Sequence, residues 1–219
     1  MTLAAELAVH MRALGYDESL LESQEIAKKL LCYLGLIEKW NRVHNLTSIR
    51  KTEDMLTHHI IDSLAVLPHL FGRRLADVGS GAGLPGIPIA VANPNWRVTL
   101  IESSQKKTAF LRQVKFELRL NNIHIVSGRV EDYQPENKFD TVICRALCSL
   151  REFIALAGHL HDKSNRKSRM IAMKGVSLDE ELSQLPANYY IEKIAPVIVP
   201  GLDARRHLVI INTIDENKI

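Results

Sequence analysis

Cysteine is scarce in this chain: Cys32, Cys144 and Cys148 are the only three in 219 residues, and no two of them form a C-x-x-C pair. An odd number of cysteines in apolar surroundings excludes a disulfide framework and argues against a zinc site. The sequence also lacks a G-x-S-x-G segment and any setting that would activate a cysteine, which excludes the common nucleophilic hydrolases. We therefore expect a reduced protein without a resident metal.

Long apolar runs are missing as well. No stretch reaches the roughly 20 residues of a membrane-spanning helix. Residues 1–10 contain Glu6 and lack the basic leader and apolar core of a signal sequence. Internal repeats and low-complexity segments are also absent. These absences predict a cytoplasmic protein with no membrane partner.

The composition that is present is that of a small globular protein. With 219 residues, 46% of them hydrophobic, the chain is long enough for one α/β core with an appendage and too short for two full-sized domains. The 28 basic and 25 acidic residues give a net charge of +3, which permits an anionic partner without demanding one. Nothing in the composition requires a dimer, so we expect a monomer.

The first seventy residues have a helical pattern. An amphipathic stretch over 3–14 ends at Gly15, and Ser19 with Glu22 forms a capping-box pattern ahead of a second helix. A third helix is predicted over 53–70. The segment 40–48 between the last two is polar and aperiodic, which predicts a loop. We interpret residues 1–72 as an N-terminal helical region packed on the core.

From residue 74 onward, strands alternate with helices, which predicts βαβ units and a mostly parallel sheet. Residues 189–199 and 206–213 follow with too little chain between them for a crossover helix, so they should pair as an antiparallel hairpin. This predicts an α/β fold with the Rossmann-like sheet of class I S-adenosylmethionine-dependent methyltransferases over 73–219. The predicted strands are 74–78, 97–101, 123–127, 139–144 and 169–173, and the predicted helices are 84–92, 106–120 and 150–160.

The most informative segment is residues 75–86, which read L-A-D-V-G-S-G-A-G-L-P-G. Gly79, Gly81 and Gly83 alternate, and residues without a Cβ let the backbone turn with φ > 0 and approach a ligand closely. This pattern predicts a turn that binds an adenosine-containing cofactor. Gly81, Gly83 and Gly86 also satisfy the G-x-G-x-x-G dinucleotide pattern, and an ordinary tight βα turn is a third interpretation.

Asp77 favours one of these cofactors. A dinucleotide site uses a helix N-terminus to hold a pyrophosphate, whereas S-adenosylmethionine carries an ammonium group and no phosphate. An acid at the strand end ahead of alternating glycines is the pattern D-x-G-x-G-x-G of methyltransferases. We expect Asp77 to face the amino-acid moiety of S-adenosylmethionine.

Further cofactor contacts are predicted at two other strand ends. Glu102 ends the second strand about twenty residues past the glycines, where doubly wound folds place an acid that binds ribose hydroxyls. Val130 and Glu131 follow the third strand, where their side chains would flank the adenine of the cofactor. The alternatives are an exposed strand-end carboxylate for Glu102 and ordinary loop positions for the other two.

Basic residues also gather at strand ends. Arg145 ends the fourth strand, Lys174 the fifth, and Arg206 opens the last one, so these cations should meet at the edge where open α/β sheets bind ligands. Arg145 has a second interpretation as a structural ion-pair partner. Two further basic clusters lack base-reading aromatics and would bind phosphates. The first consists of Lys106, Lys107, Arg112, Lys115 and Arg119, and it could instead be a solvated helix face. The second consists of Lys163, Arg166, Lys167 and Arg169.

His58, His59 and Asp62 share one helix face and could be drawn as metal ligands. No further His or Cys stands at matching spacing, so a metal site is not expected here. His59 is interpreted as lining the substrate side or satisfying a helix contact.

Taken together, segments spread over nearly the whole chain resemble the bacterial 16S ribosomal RNA guanine-N7 methyltransferases, also called the glucose-inhibited division protein B family. The resemblance implies methylation of N7 of one guanine in the decoding-region loop of small-subunit ribosomal RNA. The matching segments are Lys39-Trp-Asn41, Asn45-Leu-Thr-Ser48, His59-Ile-Ile-Asp-Ser63, the stretch 77–88 with its Leu-Pro-Gly-Ile-Pro ending, Phe110-Leu-Arg-Gln-Val114, Arg129-Val-Glu131, Arg145-Ala146, Lys174-Gly175 and Arg206-His-Leu208.

The resemblance also implies site residues. Cofactor contacts fall on Gly79, Leu84, Val130, Glu131 and Arg145, beside the Asp77, Gly81, Gly83 and Glu102 expected from the pattern. Catalytic or RNA-binding roles fall on Asn45, Arg129, Arg145, Lys174 and Arg206. Independently of the resemblance, the basic cluster on the predicted helix 106–120 gives Lys106, Lys107 and Arg112 as further RNA contacts.

The expected reaction needs no general base, because guanine N7 holds an in-plane lone pair and no proton. Catalysis should rest on proximity and in-line alignment. Two rival hypotheses remain: a nicotinamide-dependent oxidoreductase, and a non-catalytic RNA-binding or ribosome-assembly factor that has kept a methyltransferase fold.

Overall fold

The computed structural model of the chain describes residues 2–16, 24–175 and 179–214. Its centre is a seven-stranded sheet with the order β3-β2-β1-β4-β5-β7-β6. The strands are β1 (Arg74–Val78), β2 (Arg97–Glu102), β3 (Ile123–Ser127), β4 (Thr141–Arg145), β5 (Arg169–Lys174), β6 (Tyr189–Val197) and β7 (Arg206–Thr213).

Strands β1 to β5 are parallel neighbours, while β7 is antiparallel to both β5 and β6. The predicted α/β fold, with a mostly parallel sheet ending in an antiparallel hairpin, is therefore confirmed. Strand β4 starts at Thr141 and not at residue 139, because Phe139 makes only an isolated parallel bridge to His161.

Eight α-helices surround the sheet within the described ranges. They are α1 (Leu3–Ala13), α2 (Gln24–His44), α3 (Thr52–Met55), α4 (Asp62–Leu64), α5 (Gly86–Ala92), α6 (Gln105–Glu117), α7 (Leu150–Ala157) and α8 (Asp179–Leu182). A π-helix over Leu56–Ile61 separates α3 from α4, and a 3₁₀-helix covers Leu67–His69.

Two sequence predictions for the N-terminal region were wrong in detail. Helix α2 continues to His44, so the first half of the predicted loop 40–48 is helical. The predicted helix over 53–70 is broken into α3, the π-helix, α4 and the 3₁₀-helix. A π-helical turn holds one residue more than an α-turn, so it shifts the face that later residues present. The predicted Ser19–Glu22 cap lies outside the described residues.

The two faces of the sheet pack against different helices. Leu75 and Leu100 face a large core that includes Leu30, Tyr33 and Phe110, whereas Ala76 and Val78 face a second core that includes Phe153 from α7. Because side chains alternate along a strand, each strand contributes to both cores. The N-terminal helices therefore share their hydrophobic cluster with α5 and α6. The boundary at residues 72/73 stays a prediction.

Candidate active site

The carboxyl edge of the parallel strands begins with the turn after β1. Gly79, Gly81 and Gly83 have φ of 67°, 59° and 92°, a left-handed region that favours glycine. The backbone N–H groups of Gly79 and Ser80 donate to the carbonyl of Ile101 at 2.9 and 3.1 Å. The turn is thus tied to β2 and held at the edge of the sheet.

The three glycines differ in what surrounds them. A Cβ placed on Gly83 would collide with Ile87 and come within 3.0 Å of Leu111, and one on Gly79 would lie 2.5 Å from Leu147 Cδ1. A Cβ on Gly81 would meet, among the described atoms, only the Gly79 carbonyl at 3.8 Å. Gly83 is therefore required for packing, whereas Gly81 borders open space that a ligand can enter.

Glu102 ties this turn to helix α6. Its Oε2 accepts the Gly81 N–H at 2.8 Å and its Oε1 accepts the Ser104 N–H at 2.8 Å. The residue is 6% exposed. Each carboxylate oxygen can accept a second hydrogen bond, so these contacts leave capacity for a ribose hydroxyl. Ribose binding by Glu102 stays a prediction.

Asp77 lies beneath the turn and is fully buried. Its Oδ2 accepts the Gly86 N–H at 2.9 Å, while Oδ1 has no hydrogen-bond partner among the described residues. Burial raises the pKa of this carboxyl to about 7. A buried carboxylate oxygen without a partner suits a cationic group, so the edge fits the ammonium-bearing cofactor expected from the sequence.

The N-terminal region also supports the turn. The Tyr33 hydroxyl on α2 donates to the Ala82 carbonyl at 2.6 Å, and Tyr33 is fully buried. Trp40, further along α2, donates through Nε1 to Gln113 of α6 at 3.0 Å. No role was predicted for Tyr33 from the sequence. The available signal was a single tyrosine on an apolar helix face, because a buried hydroxyl must find a hydrogen-bond partner.

A carboxylate bridge dominates the other half of the edge. Asp62 accepts from Arg145 Nη1 through Oδ2 at 3.2 Å and from Arg206 Nε through Oδ1 at 3.0 Å. The Asp62 side chain is 4% exposed, against 21% for Arg145 and 27% for Arg206. Arg145 Nη1 also donates to the carbonyl of His58 at 2.9 Å. Two arginines, one at the end of β4 and one at the start of β7, thus share one buried carboxylate.

The role of Asp62 was missed from the sequence, where it was weighed only as a metal ligand. Within residues 2–16, 24–175 and 179–214, no group of His, Cys, Asp or Glu side chains could hold a metal ion. The usable signal was an acidic residue among the mostly apolar residues 60–67. The ion-pair alternative raised for Arg145 describes its contact in the structure.

His59, next to the bridge, is 3% exposed, and its Nε2 is 2.9 Å from Thr47 Oγ1. Burial, and then the charge of Arg145, lower the pKa of His59 to about 4, so the imidazole is neutral near pH 7. Thr47 lies in the loop after α2, so the side chain of His59 contacts a loop residue, and the predicted helix contact stays a prediction. Its other predicted position, lining the substrate side, is not supported by this burial.

Lys174 and Asn45 form hydrogen bonds with different partners. Lys174 Nζ donates to Glu181 Oε2 at 2.7 Å and to the Cys148 carbonyl at 2.6 Å. Asn45 takes φ of 49° just after α2, and its Oδ1 accepts from Arg50 Nη2 at 2.9 Å. Among the described residues, no hydrogen bond or ion pair joins either residue to Asp62, Arg145 or Arg206. Their catalytic roles stay predictions.

The turn after β3 carries the remaining predicted contacts. Val130 is buried, while Arg129 and Glu131 are exposed and face each other with Arg129 Nη1 3.9 Å from Glu131 Oε1. Leu84 is 5% exposed in the glycine turn. On α6, Lys106 and Arg112 are exposed. Lys107 is half-buried.

Comparison with known proteins identifies the family of the chain. The model of the family described as rRNA small subunit methyltransferase G matches residues 26–209. The chain belongs to this family. A ribosomal RNA small subunit methyltransferase G from Nitrosospira multiformis is 50% identical over 215 residues, which cover 96% of this chain and 98% of the relative.

Solved structures show the fold. A mutant of MtNAS in complex with S-adenosylmethionine aligns with a TM-score of 0.54 at 14% identity, covering 97% of this chain and 96% of that chain. Ribosomal protein L11 methylase from Lactobacillus delbrueckii subsp. bulgaricus aligns with a TM-score of 0.51 at 15% identity, covering 71% and 77%. The methyltransferase family and the fold class predicted from the sequence are both confirmed, and with them S-adenosylmethionine as the cofactor of the family.

Within the described ranges no helix combines the length and apolarity needed to cross a membrane.

Proposed function

We propose that this protein transfers the methyl group of S-adenosylmethionine to N7 of one guanine in the decoding-region loop of 16S ribosomal RNA. The observation that carries the proposal is the glycine turn at this edge, where Gly81 borders open space and donates its N–H to the buried carboxylate of Glu102. Family membership supports the class of substrate. The resemblance of the segments around Arg145, Lys174 and Arg206 supports the N7 position.

The cofactor would be held by groups that meet at this edge. Asp77 offers a carboxylate to the ammonium, Gly81 offers an open backbone face, and Glu102 offers lone pairs to the ribose. Val130 and Glu131 follow β3 and would flank the adenine. When bound, S-adenosylmethionine supplies a methyl group made electrophilic by its sulfonium.

The residues of the edge are not arranged for proton transfer. Asp77 has a pKa of about 7 and His59 a pKa of about 4, yet both side chains are buried and neither is placed to receive a proton from a nucleobase. Guanine N7 needs no deprotonation before it attacks a methyl group. Catalysis then rests on alignment, which supplies up to roughly 7 to 11 kcal/mol in well-oriented reactions.

Asp62 sets the charge of the substrate side. One carboxylate neutralises one of the two guanidiniums, so the bridge keeps a net positive charge at the edge. Methylation of N7 leaves a cationic base, and a guanidinium beside N7 would oppose it. Arg145 and Arg206 are therefore proposed to hold a phosphate, the guanine O6 or the cofactor, and to stay away from N7.

Arg206 allows a direct test of this assignment. Arg206→Ala is expected to weaken RNA binding or turnover at least tenfold. An Arg206→Ala enzyme with wild-type RNA affinity and turnover would remove Arg206 from the site.

We further infer that the enzyme works as a cytoplasmic monomer on ribosomal RNA or on the small subunit. The test is transfer of a labelled methyl group from S-adenosylmethionine to naked 16S ribosomal RNA and to small subunits that lack the modification, followed by mapping of the labelled base. Gly81→Asp, which places a carboxylate on the open face, serves as the inactive control. Label on one guanine N7 would support the proposal.

The rival is a non-catalytic RNA-binding or assembly factor. Cofactor binding without transfer to either substrate would contradict the substrate assignment, and loss of cofactor binding as well would contradict the methyltransferase assignment. If the Gly81→Asp variant supported every cellular role of the protein, the binding factor would be the better description.

A further inference from the structure

Helix α6 presents an exposed basic face that the active-site edge does not use. Its inner face buries Thr108, Phe110, Leu111 and Val114. The exposed positions on the opposite side recur every three or four residues and so form one line along the helix. We name this line, together with Arg119 beyond the end of the helix, the α6 stripe; Arg119 lines the same groove as Arg112 and Phe116. The stripe consists of Lys106, Ala109, Arg112, Phe116 and Arg119.

The cations of the stripe lack carboxylate partners among the described residues. In the part of the chain that the structure describes, no ion pair involves Lys106, Arg112 or Arg119, although Arg42, Arg74 and Arg169 elsewhere all have carboxylate partners. Residues 105–121 contain five basic residues and one acidic residue, the exposed Glu117. Unpaired cations in a row provide a positive potential that attracts an anionic polymer.

Phe116 stands within this line and is 81% exposed. The sequence analysis counted no base-reading aromatic among these basic residues, whereas the structure exposes the Phe116 ring beside them. A groove of about 730 Å³ runs beside the ring, with Arg112, Phe116 and Arg119 among its lining residues. An exposed aromatic ring flanked by arginines is the arrangement on which proteins stack the bases of single-stranded nucleic acid.

Arg119 adds an independent observation. It has φ of 50°, directly after the helix, while the Leu120 N–H donates to the Lys115 carbonyl at 3.0 Å. This is the helix-ending position that glycine normally occupies, because a side chain is strained there. An exposed arginine at a glycine position contributes nothing to the core. Its side chain lines the groove beside Phe116 and a second groove of about 460 Å³ that continues toward the exposed Arg97.

We propose that the α6 stripe binds a single-stranded segment of the substrate RNA, with phosphates on Arg112 and Arg119 and one base stacked on Phe116. Helix α6 begins just after Glu102 at the active-site edge and runs about 20 Å toward the opposite edge of the sheet, at 1.5 Å per residue. RNA held along the stripe lies outside the methyl-transfer site and is continuous with it. The proposal deepens the proposed function and rests on it for the identity of the RNA.

The first test measures binding of a short single-stranded RNA of mixed sequence by fluorescence anisotropy over a range of salt concentrations. Phe116→Ala is expected to weaken binding about tenfold, the scale of one lost base stack. Arg119→Gly is expected to lower the slope of log affinity against log salt by about 0.7, the value for one lost phosphate contact on a single strand. Because glycine suits this backbone, Arg119→Gly should also fold with an equal or higher Tm.

Matched controls lie elsewhere on the surface. Ile198→Ala removes another exposed apolar side chain, 86% exposed, and Arg42→Ala removes an exposed arginine that is already paired with Glu38. Both controls should bind the RNA as the wild type does. Stripe variants that match the wild type in affinity and in salt slope would overturn the proposal.

Methyl-transfer kinetics separate this proposal from the function itself. The stripe variants should raise KM for ribosomal RNA while kcat and S-adenosylmethionine affinity stay at wild-type values. A wild-type protein that binds the RNA through the stripe but transfers no methyl group would contradict the proposed function alone. If the variants lose activity only on assembled subunits and bind RNA normally, the stripe contacts a ribosomal protein and the proposal is wrong.

Discussion

The carboxyl edge of the sheet and the outer face of α6 use their cations in opposite ways. At the edge, Arg145 and Arg206 are paired with Asp62, and Lys174 is paired with Glu181, in each case at low exposure. On the α6 stripe, Arg112 and Arg119 are exposed and belong to none of the described ion pairs. Paired, half-buried cations fix geometry, whereas unpaired, exposed cations attract phosphate. The two regions should therefore respond to different perturbations.

The largest expected effect comes from removing the shared carboxylate of the edge. Asp62→Ala leaves two half-buried guanidiniums without their partner, and we expect a loss of about 3 to 5 kcal/mol in the free energy of unfolding. Methyl transfer should fall at least tenfold, because Arg145 and Arg206 lose their positions. Urea unfolding and methyl-transfer kinetics measure the two effects.

The control for this prediction is an exposed pair. Glu38→Ala removes the partner of Arg42, whose side chain is 74% exposed, and should cost less than about 1 kcal/mol. Equal losses in the free energy of unfolding for Asp62→Ala and Glu38→Ala would contradict the distinction between positioning and exposed cations. Asp62→Asn keeps the shape without the charge and shows which of the two matters.

The next effect is a dependence of stability on pH to which Asp77, at the edge, should contribute. The pKa of Asp77 is raised to about 7 by burial, so between about pH 4 and pH 7 the folded protein holds a proton that the unfolded chain has lost. The stability contributed by this group therefore falls as pH rises through that window. Asp77→Asn cannot titrate, and its stability relative to the wild type should grow by on the order of 3 kcal/mol from pH 4 to pH 7.

His59 does not disturb this comparison. Its pKa is lowered to about 4, so its own contribution to stability is lost as pH falls from about 6.5 to about 4, and it does so in both proteins. The readout is the difference between urea unfolding curves of the two proteins at each pH. A difference that is constant with pH would show that Asp77 is ionised in the fold.

The smallest effect on stability belongs to the α6 stripe, and it is a gain of stability, in contrast to the loss expected for Asp62→Ala. Arg119→Gly relieves a left-handed backbone and should stabilise the fold by about 1 kcal/mol, although it weakens RNA binding. Thermal unfolding measures the first effect and the RNA titration the second. A destabilised Arg119→Gly variant would mean that the arginine side chain supports the fold. The stripe would then share the structural role of the paired cations at the edge.

Much of the edge could be predicted from local sequence. The glycine turn, the strands on either side of it and the hairpin after β5 all follow from patterns within short segments, since alternation and glycine spacing act over a few residues. The ends of several elements could not be predicted. Arg119 shortens α6 by its backbone conformation, and the π-helix interrupts the segment 53–70 although its sequence is that of an ordinary amphipathic helix.

The division of roles among the predicted site residues required the fold. Gly81 and Gly83 are equivalent in the sequence pattern, yet only Gly83 faces Ile87 and Leu111. Lys174 looks like a free cation at a strand end, yet Glu181 of α8 lies 2.7 Å from it. These differences depend on which neighbours pack against each residue.

Local motifs were sufficient to predict the glycine turn after β1, the parallel sheet with its terminal hairpin and the methyltransferase family, because each leaves a pattern in short segments of sequence. The pairing of Asp62 with Arg145 and Arg206, which lie 83 and 144 positions away along the chain, could be recognised only in the fold. The same holds for Phe116, whose exposure beside unpaired arginines depends on which face of α6 packs on the sheet. Contacts between distant segments exist only once the chain has folded, and no local pattern records them.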